Sequence, residues 1–312
     1  MATAELPTRP ARQSVAVPRL RLADYAELTK PRIATMALVT VAVGYLLGAG
    51  AEARLVPLMH VLVGAGLVAA GGSALNCWLE READGRMRRT ANRSLPAGRL
   101  HPAEAFGFGL LLAVCGTVYL ALTLPTPAAA LAAAATAALY VGVYTPLKSV
   151  SAWNTVVGAV PGALPPVIGW CAARGSLSAE GLALFAVLFV WQLPHFYSIA
   201  WMHRDDYARG GMRMLPVVDS PDGRRTGLAT AATGGLLVLA TLAPLPFLGG
   251  WGAWVYAAGA VPLSLWFLAR CVRFARRRTQ PNAKSVLRGS LVYLCGVMAL
   301  LCGTGVVPKL LS

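Results

Sequence analysis

Apolar runs of about twenty residues recur along this chain, each long enough to cross a bilayer core of about 30 Å. Backbone groups in lipid must be satisfied internally, so such runs fold as helices. Nine can be read, at 33–50, 55–79, 104–123, 127–146, 152–172, 178–202, 227–248, 252–270 and 286–306. The expected fold class is all-α: a polytopic membrane protein with nine transmembrane helices in one bundle. A basic tail at 1–32 and a short tail at 307–312 would flank it. The composition agrees, since only 13% of residues are charged, about half the share in a soluble domain.

A net charge of +15 could point to nucleic acid, but its placement argues otherwise. Of the 28 Lys and Arg, 25 fall on alternate inter-span segments, leaving only Arg54, Arg174 and Lys309 for the other side. That is the positive-inside pattern rather than one basic face. It predicts a cytoplasmic N-terminus and an outer C-terminus, which an odd number of spans requires. The location expected is the bacterial plasma membrane, with a mitochondrial inner membrane the lesser alternative. The Arg-containing N-terminus lacks the apolar core and cleavage site of a secretory signal, which argues for a basic cytoplasmic tail. The six cysteines lie in or beside apolar runs without a CxxC, which suits packing better than disulfides or metal.

Two inner segments, 80–103 and 203–226, hold most of the acids. Four spans separate them, so a four-helix unit could occur twice in parallel, with a ninth helix added. Asn76, Glu80 and Asp84 are spaced i, i+4 and i+8 on the helix leaving span two, and so share one face. Two carboxylates and an amide oxygen are hard ligands of the kind Mg²⁺ takes when a substrate phosphate supplies the rest. Alternatively, Glu80 and Asp84 pair in solvent with Arg81, Arg88 or Arg89. The second stretch, "HRDDYARGGMRMLPVVD", ends span six on the same side, with Asp205, Asp206, Tyr207 and Arg209. Two acid clusters facing one another could hold a diphosphate through Mg²⁺, with Arg and Lys neutralising the remainder. A diphosphate at the mouth of an apolar bundle implies a polyisoprenoid substrate ionising to an allylic cation, in walls that exclude water.

Other residues join this reading. "YTPLKS" puts Tyr144 and Lys148 at the inner end of span four, with Pro146 expected to break the helix between them. Lys148 either reaches a phosphate or snorkels. His195 lies within span six after Pro194; a lone intramembrane His is a functional candidate or a hydrogen-bonded packing residue. "GAVPGALPPVIGW" should bend span five around a cavity.

With these residues assembled, the chain resembles the intramembrane UbiA-type prenyltransferase superfamily and, within it, the heme O synthase branch. "LTKPRI", "NCWLEREADGRMRRTANRSLPAGRLHPAEAFGFG", "YTPLKSVSAWNTVVGAVPGALPPVIGW" and "WQLPHFYSIAWMHRDDYARGGMRMLPVV" carry the likeness. The resemblance implies transfer of farnesyl from farnesyl diphosphate to a vinyl group of heme B, with addition of water, giving heme O. It implies an active site opening at the cytoplasmic side and Mg²⁺ as cofactor, heme B being a substrate. Asn76, Glu80 and Asp84 would form one Mg²⁺–diphosphate cluster, Asp205 and Asp206 the other. Lys148, Arg88, Arg89, Arg93, Tyr207 and Arg209 would assist the diphosphate, Tyr144 would lie near the allylic carbon, and His195 would contact heme, as an axial ligand. The implied partners are farnesyl diphosphate, heme B, the lipid bilayer and a heme A synthase or oxidase assembly factor. Three positions depart from the family pattern: Glu80 stands for Asp, Ser94 for Pro, and "SVSAW" after Lys148 is less basic than usual. The weighed rivals are prenylation of an aromatic acceptor such as a hydroxybenzoate, and a transporter, which would place ionisable groups at mid-bilayer.

Overall fold

The computed structural model describes residues 21–305. The expectations for most of the 1–32 tail and for 307–312 fall outside that range. Among the described residues nine helical segments are long and apolar enough to span a membrane, and every regular element is helical. A short α1 (Leu22–Leu28) precedes α2 (Pro31–Ala49), α3 (Leu55–Arg86) and α4 (Pro102–Thr123). Span four runs from α5 (Ala128–Ala138) through a π turn (Leu139–Tyr144) into α6 (Thr145–Val150), and span five is α7 (Asn154–Ala163) with α8 (Pro165–Arg174). Then come α9 (Ala179–Met202), the short α10 (Arg204–Arg209) and α11 (Leu215–Val218), and α12 (Arg224–Thr241), α13 (Gly250–Arg276) and α14 (Gln280–Gly305).

Lipid offers no hydrophobic drive for one helix to meet another, so close packing rests on small residues. The α3–α4 contact shows how. A Cβ on Gly71 would lie 2.6 Å from the Gly109 carbonyl oxygen, and one on Gly116 2.7 Å from that of Gly64. Likewise α2 and α8 touch backbone to backbone, Gly44 against Pro166 and Gly169 against Val41. One buried core joins α2 to α5 with α8, through Val41, Tyr45, Val61, Leu120 and Val167. The other gathers α9 and α12 to α14 around Tyr256, Phe267, Phe274 and Tyr293. Span five reaches both cores, with Val167 and Ile168 in the first and Ala163 and Trp170 in the second. Outward-facing Leu122, Trp251 and Trp254 complete an apolar exterior, with the tryptophans beside the Arg-poor loop, as an interfacial belt requires.

Two proline-bearing segments were expected to be irregular. Span five does break, at Leu164 between α7 and α8. Span four does not: Pro146 sits in the first turn of α6, and the backbone stays helical from Ala128 to Val150. The π turn ahead of it explains the difference. An extra residue in the turn shifts the register, so the proline's missing N–H and its ring clash are absorbed rather than ending the helix.

Candidate active site

Asn76, Glu80 and Asp84 all lie on α3 and are buried. Burial of two acids demands partners, and each has one from outside α3. Lys148 on α6 donates to Glu80 Oε1 at 2.7 Å. Arg93, in the loop after α3, donates to Asp84 Oδ2 at 2.7 Å, where the Asp84 side chain is only 2% exposed. Partial burial works against the Arg93 charge, but the Asp84 carboxylate more than offsets it and holds the guanidinium above its usual range. Asn76 accepts from Lys30 Nζ at 2.6 Å and donates to Thr145 Oγ at 3.1 Å. The expected pairing with Arg81, Arg88 or Arg89 is thus replaced: Arg81 turns to Trp78 and Glu82, and Lys148 does not snorkel.

Lys148 is further fixed from below, its ammonium 4.4 Å from the centroid of the Tyr144 ring. That ring in turn lies on Gly158 of α7, where a Cβ would come within 2.4 Å of it. An aromatic face is thereby held under the cation, a favourable electrostatic contact.

The segment carrying the second acid pair crosses the same end. Arg88 N–H donates to Asp206 Oδ1 at 3.1 Å, Arg86 donates to the Gly210 carbonyl at 3.1 Å, and Arg213 N–H to the Lys148 carbonyl at 2.6 Å. These bonds tie α10 and the following turn to α3 on one side and α6 on the other. The turn closes at Gly211, whose φ of +74° favours glycine. Asp206 also accepts from Arg209. Desolvation pushes its carboxyl up, but the Arg209 and Arg88 hydrogen bonds hold it below the ordinary range. Arg89 lies beside it and, after burial, helps keep His203 below its usual value. Asp205 is different: its side chain is 85% exposed, and Arg204 is 3.8 Å away. Tyr207 packs against a methionine cluster of Met87, Met212 and Met214.

Among the described residues no three His, Cys, Asp or Glu converge on one point. Asn76, Glu80 and Asp84 nevertheless present hard oxygen donors along one helix face. They fit Mg²⁺ in kind but are too few to enclose it, so phosphate oxygens would have to complete the shell.

His195 stands apart from this cluster. Its Nδ1 meets Ser290 Oγ on α14 at 2.7 Å, and that hydroxyl donates to the Leu287 carbonyl at 2.7 Å. The bond to Ser290 fixes the orientation of the ring between α9 and α14. Trp191 and Phe196 flank the ring.

Three participants were missed from the sequence. Lys30 carries a φ of 47°, a left-handed conformation costing about 1–2 kcal/mol outside glycine, and reaches Asn76 from the start of α2. Its signal was the Lys-Pro at the head of a span. Thr145 orients the Asn76 amide. Ser94 donates its N–H to Glu27 at 3.0 Å, a bond that a proline at this position could not make; with Arg99 bound to Asp24 and Glu27, it clamps α1 over the loop that carries Arg93.

Asp219 and Asp222 serve structure instead. Asp219 Oδ2 accepts from the Thr226 N–H and hydroxyl, both at 2.7 Å, satisfying the start of α12. Burial raises this carboxyl, but the Thr226, Ser220 and Arg225 bonds outweigh that and depress it. Its contribution is therefore complete above the ordinary carboxylate pKa of about 4 and is lost as pH falls through the lower folded value. Asp219→Ala should cost about 1–2 kcal/mol in thermal unfolding at pH 7, and the gap from wild type should close in strong acid. A gap that persists there would contradict the capping role.

The comparisons agree with this architecture. Residues 37–294 match the model of the UbiA prenyltransferase family. A protoheme IX farnesyltransferase of Solibacter usitatus is 46% identical over 280 residues, covering 87% of this chain and 94% of that protein. One from Salinibacter ruber is 46% identical over 278 residues, covering 89% and 97%. Among solved structures, digeranylgeranylglyceryl phosphate synthase superposes with TM-score 0.74 at 17% identity, covering 92% of this chain and 99% of the other. A UbiA homolog from Archaeoglobus fulgidus bound to DMAPP and Mg²⁺ gives 0.66 at 17% identity, covering 89% and 99%. The chain belongs to the UbiA prenyltransferase family and groups there with the protoheme IX farnesyltransferases.

Proposed function

We propose that this protein transfers the farnesyl group of farnesyl diphosphate to a vinyl group of heme B, with addition of water, to give heme O. The observation that carries the reading is the row of three cations bonded along one face of α3: Lys30 on the Asn76 amide oxygen, Lys148 on the Glu80 carboxylate and Arg93 on the Asp84 carboxylate. Each carboxylate can turn to a metal and each cation to a phosphate oxygen without any group having to travel. Asn76, Glu80, Asp84 and the second pair, Asp205 and Asp206, are the residues that would hold Mg²⁺. Bound there, the metal would neutralise diphosphate charge. A related UbiA homolog carries DMAPP with Mg²⁺.

In this reading the chain's own residues do the following. Lys148, Arg93, Arg89 and Lys30 bind diphosphate oxygens and stabilise the leaving group as the allylic C–O bond breaks. Arg88, Tyr207 and Arg209 hold the covering segment in place. The Tyr144 ring offers its face to the allylic cation, and the apolar walls keep water from it. The vinyl π electrons form the new C–C bond to farnesyl. The cation left beside the porphyrin ring takes water and releases a proton. His195, its ring held through Nδ1 by Ser290, would offer Nε2 to the heme iron.

The orientation follows the charge asymmetry: the site opens toward the cytoplasm, in a bacterial plasma membrane, and a heme A synthase is the natural recipient of so hydrophobic a product. The test is purified protein with farnesyl diphosphate, Mg²⁺ and heme B, assayed for heme O by mass. Heme O is the expected product. Its absence, with prenylation of hydroxybenzoate under the same conditions, would overturn the acceptor assignment.

A further inference from the structure

At the Arg-rich end of the bundle, away from the acid clusters, a groove of about 400 Å³ runs between α13 and α14. Its polar part is formed by Arg270 on α13 and by Lys284, Ser285 and Arg288 on α14; Trp266 and Val292 continue it toward the middle of the spans. Arg270 is held in one place. Its guanidinium lies 3.4 Å from the centroid of the Trp266 ring and donates to the Trp266 carbonyl at 3.3 Å. Its stem crosses Gly289, where a Cβ would come within 2.6 Å of Cδ. Only glycine on α14 leaves room for that crossing.

Lys284 and Arg288 are one turn apart on the same face of α14, and Val292 follows one turn deeper. On α13 the order repeats: Arg270, then Trp266 one turn deeper. Both walls of the groove thus pass from cation to apolar side chain in the same direction, over about 6 Å per four-residue step. Among the described residues no carboxylate pairs with Arg270, Lys284 or Arg288; Arg278 nearby is matched by Asp222. Trp266 and Val292 are 37% and 53% exposed, on helices that face lipid.

We propose that this groove binds the headgroup of one anionic phospholipid from the leaflet at the basic end. Arg270, Arg288 and Lys284 hold the phosphate, and an acyl chain lies over Trp266 and Val292. A soluble anion would use the three cations but leave the apolar extension unused; a zwitterionic lipid would leave their charge unmatched. Unpaired basic groups between membrane helices attract acidic headgroups, and the fixed Arg270 adds a defined geometry to that attraction.

The test is native mass spectrometry of the delipidated full-length protein in neutral detergent, titrated with phosphatidylglycerol or phosphatidylcholine. One phosphatidylglycerol should bind at least tenfold more tightly than phosphatidylcholine. Arg270→Gln with Arg288→Gln should weaken it about thirtyfold, and the exposed Lys284→Gln alone about fivefold. Arg276→Gln with Arg277→Gln removes equal charge outside the groove and should change it less than threefold. Equal loss in both double variants would reduce the effect to general attraction by the basic end. No preference for phosphatidylglycerol, or its displacement by millimolar inorganic phosphate, would overturn the lipid site.

Discussion

Asp84→Asn should lower heme O formation by about a thousandfold while the protein still inserts and stays helical. The substitution keeps the side chain's size and its hydrogen-bonding oxygen, and removes only the charge. Asp84 is the most enclosed acid of the site, paired to Arg93 at 2.7 Å. Its carbonyl takes the Thr90 hydroxyl at 2.9 Å, a bond the variant retains. Removing one partner of a fully buried ion pair strands the other charge, but Arg93 is 27% exposed and can turn to water. The stability loss should therefore be modest, about 1–2 kcal/mol. The loss of rate should be much larger, because in the proposed site the carboxylate's charge is what meets the metal and diphosphate together. Turnover measured against Mg²⁺ concentration, beside thermal unfolding in detergent, separates the two effects. Turnover within tenfold of wild type, with a large fall in melting temperature, would make Asp84 a structural residue that anchors the Arg93 loop.

What could be read from the chain alone, and what could not, follows from the range over which each signal acts. Nine spans were legible because apolar length is local and lipid tolerates no unsatisfied backbone. Asn76, Glu80 and Asp84 were legible as one face because the helix repeat is local too. Their partners were not. Lys148 lies 68 residues from Glu80, and Lys30 lies 46 from Asn76; nothing near either lysine names its partner. The unbroken helix through Pro146 was missed for a related reason. The compensating π turn lies upstream in "LYVGVY", a segment with no local mark of its own. Asp219 lies in the same acid-rich segment as Asp205 and Asp206, and only its bonds to Thr226 distinguish a cap from a ligand. Asp205 and Asp206 are adjacent in sequence yet unlike in space, one turned to solvent and one tied to Arg88 and Arg209.

Lys148→Gln should lower kcat/KM for farnesyl diphosphate by about a hundredfold or more, and its combination with Glu80→Gln should cost much less than the product of the single effects. The pair is nearly enclosed, with side chains 14% and 10% exposed, so either single change leaves a charge without its partner. The double change removes both and keeps the packing on Tyr144. Coupling of this kind is expected for side chains in direct contact. The single Glu80 variants then decide what the acid is for. If Glu80 gives its carboxylate to Mg²⁺ when the diphosphate takes Lys148, Glu80→Gln must raise the Mg²⁺ concentration needed for half-maximal rate. Glu80→Asp, one methylene shorter, must shift that requirement while keeping turnover. If Glu80 only positions Lys148, both variants change KM for the diphosphate and leave the Mg²⁺ requirement where it was. The Lys148 ammonium carries three N–H donors and spends one on Glu80, so it can take a phosphate oxygen whether or not the acid stays with it. The Mg²⁺ titration asks whether the carboxylate then stays on Lys148 or turns to the metal.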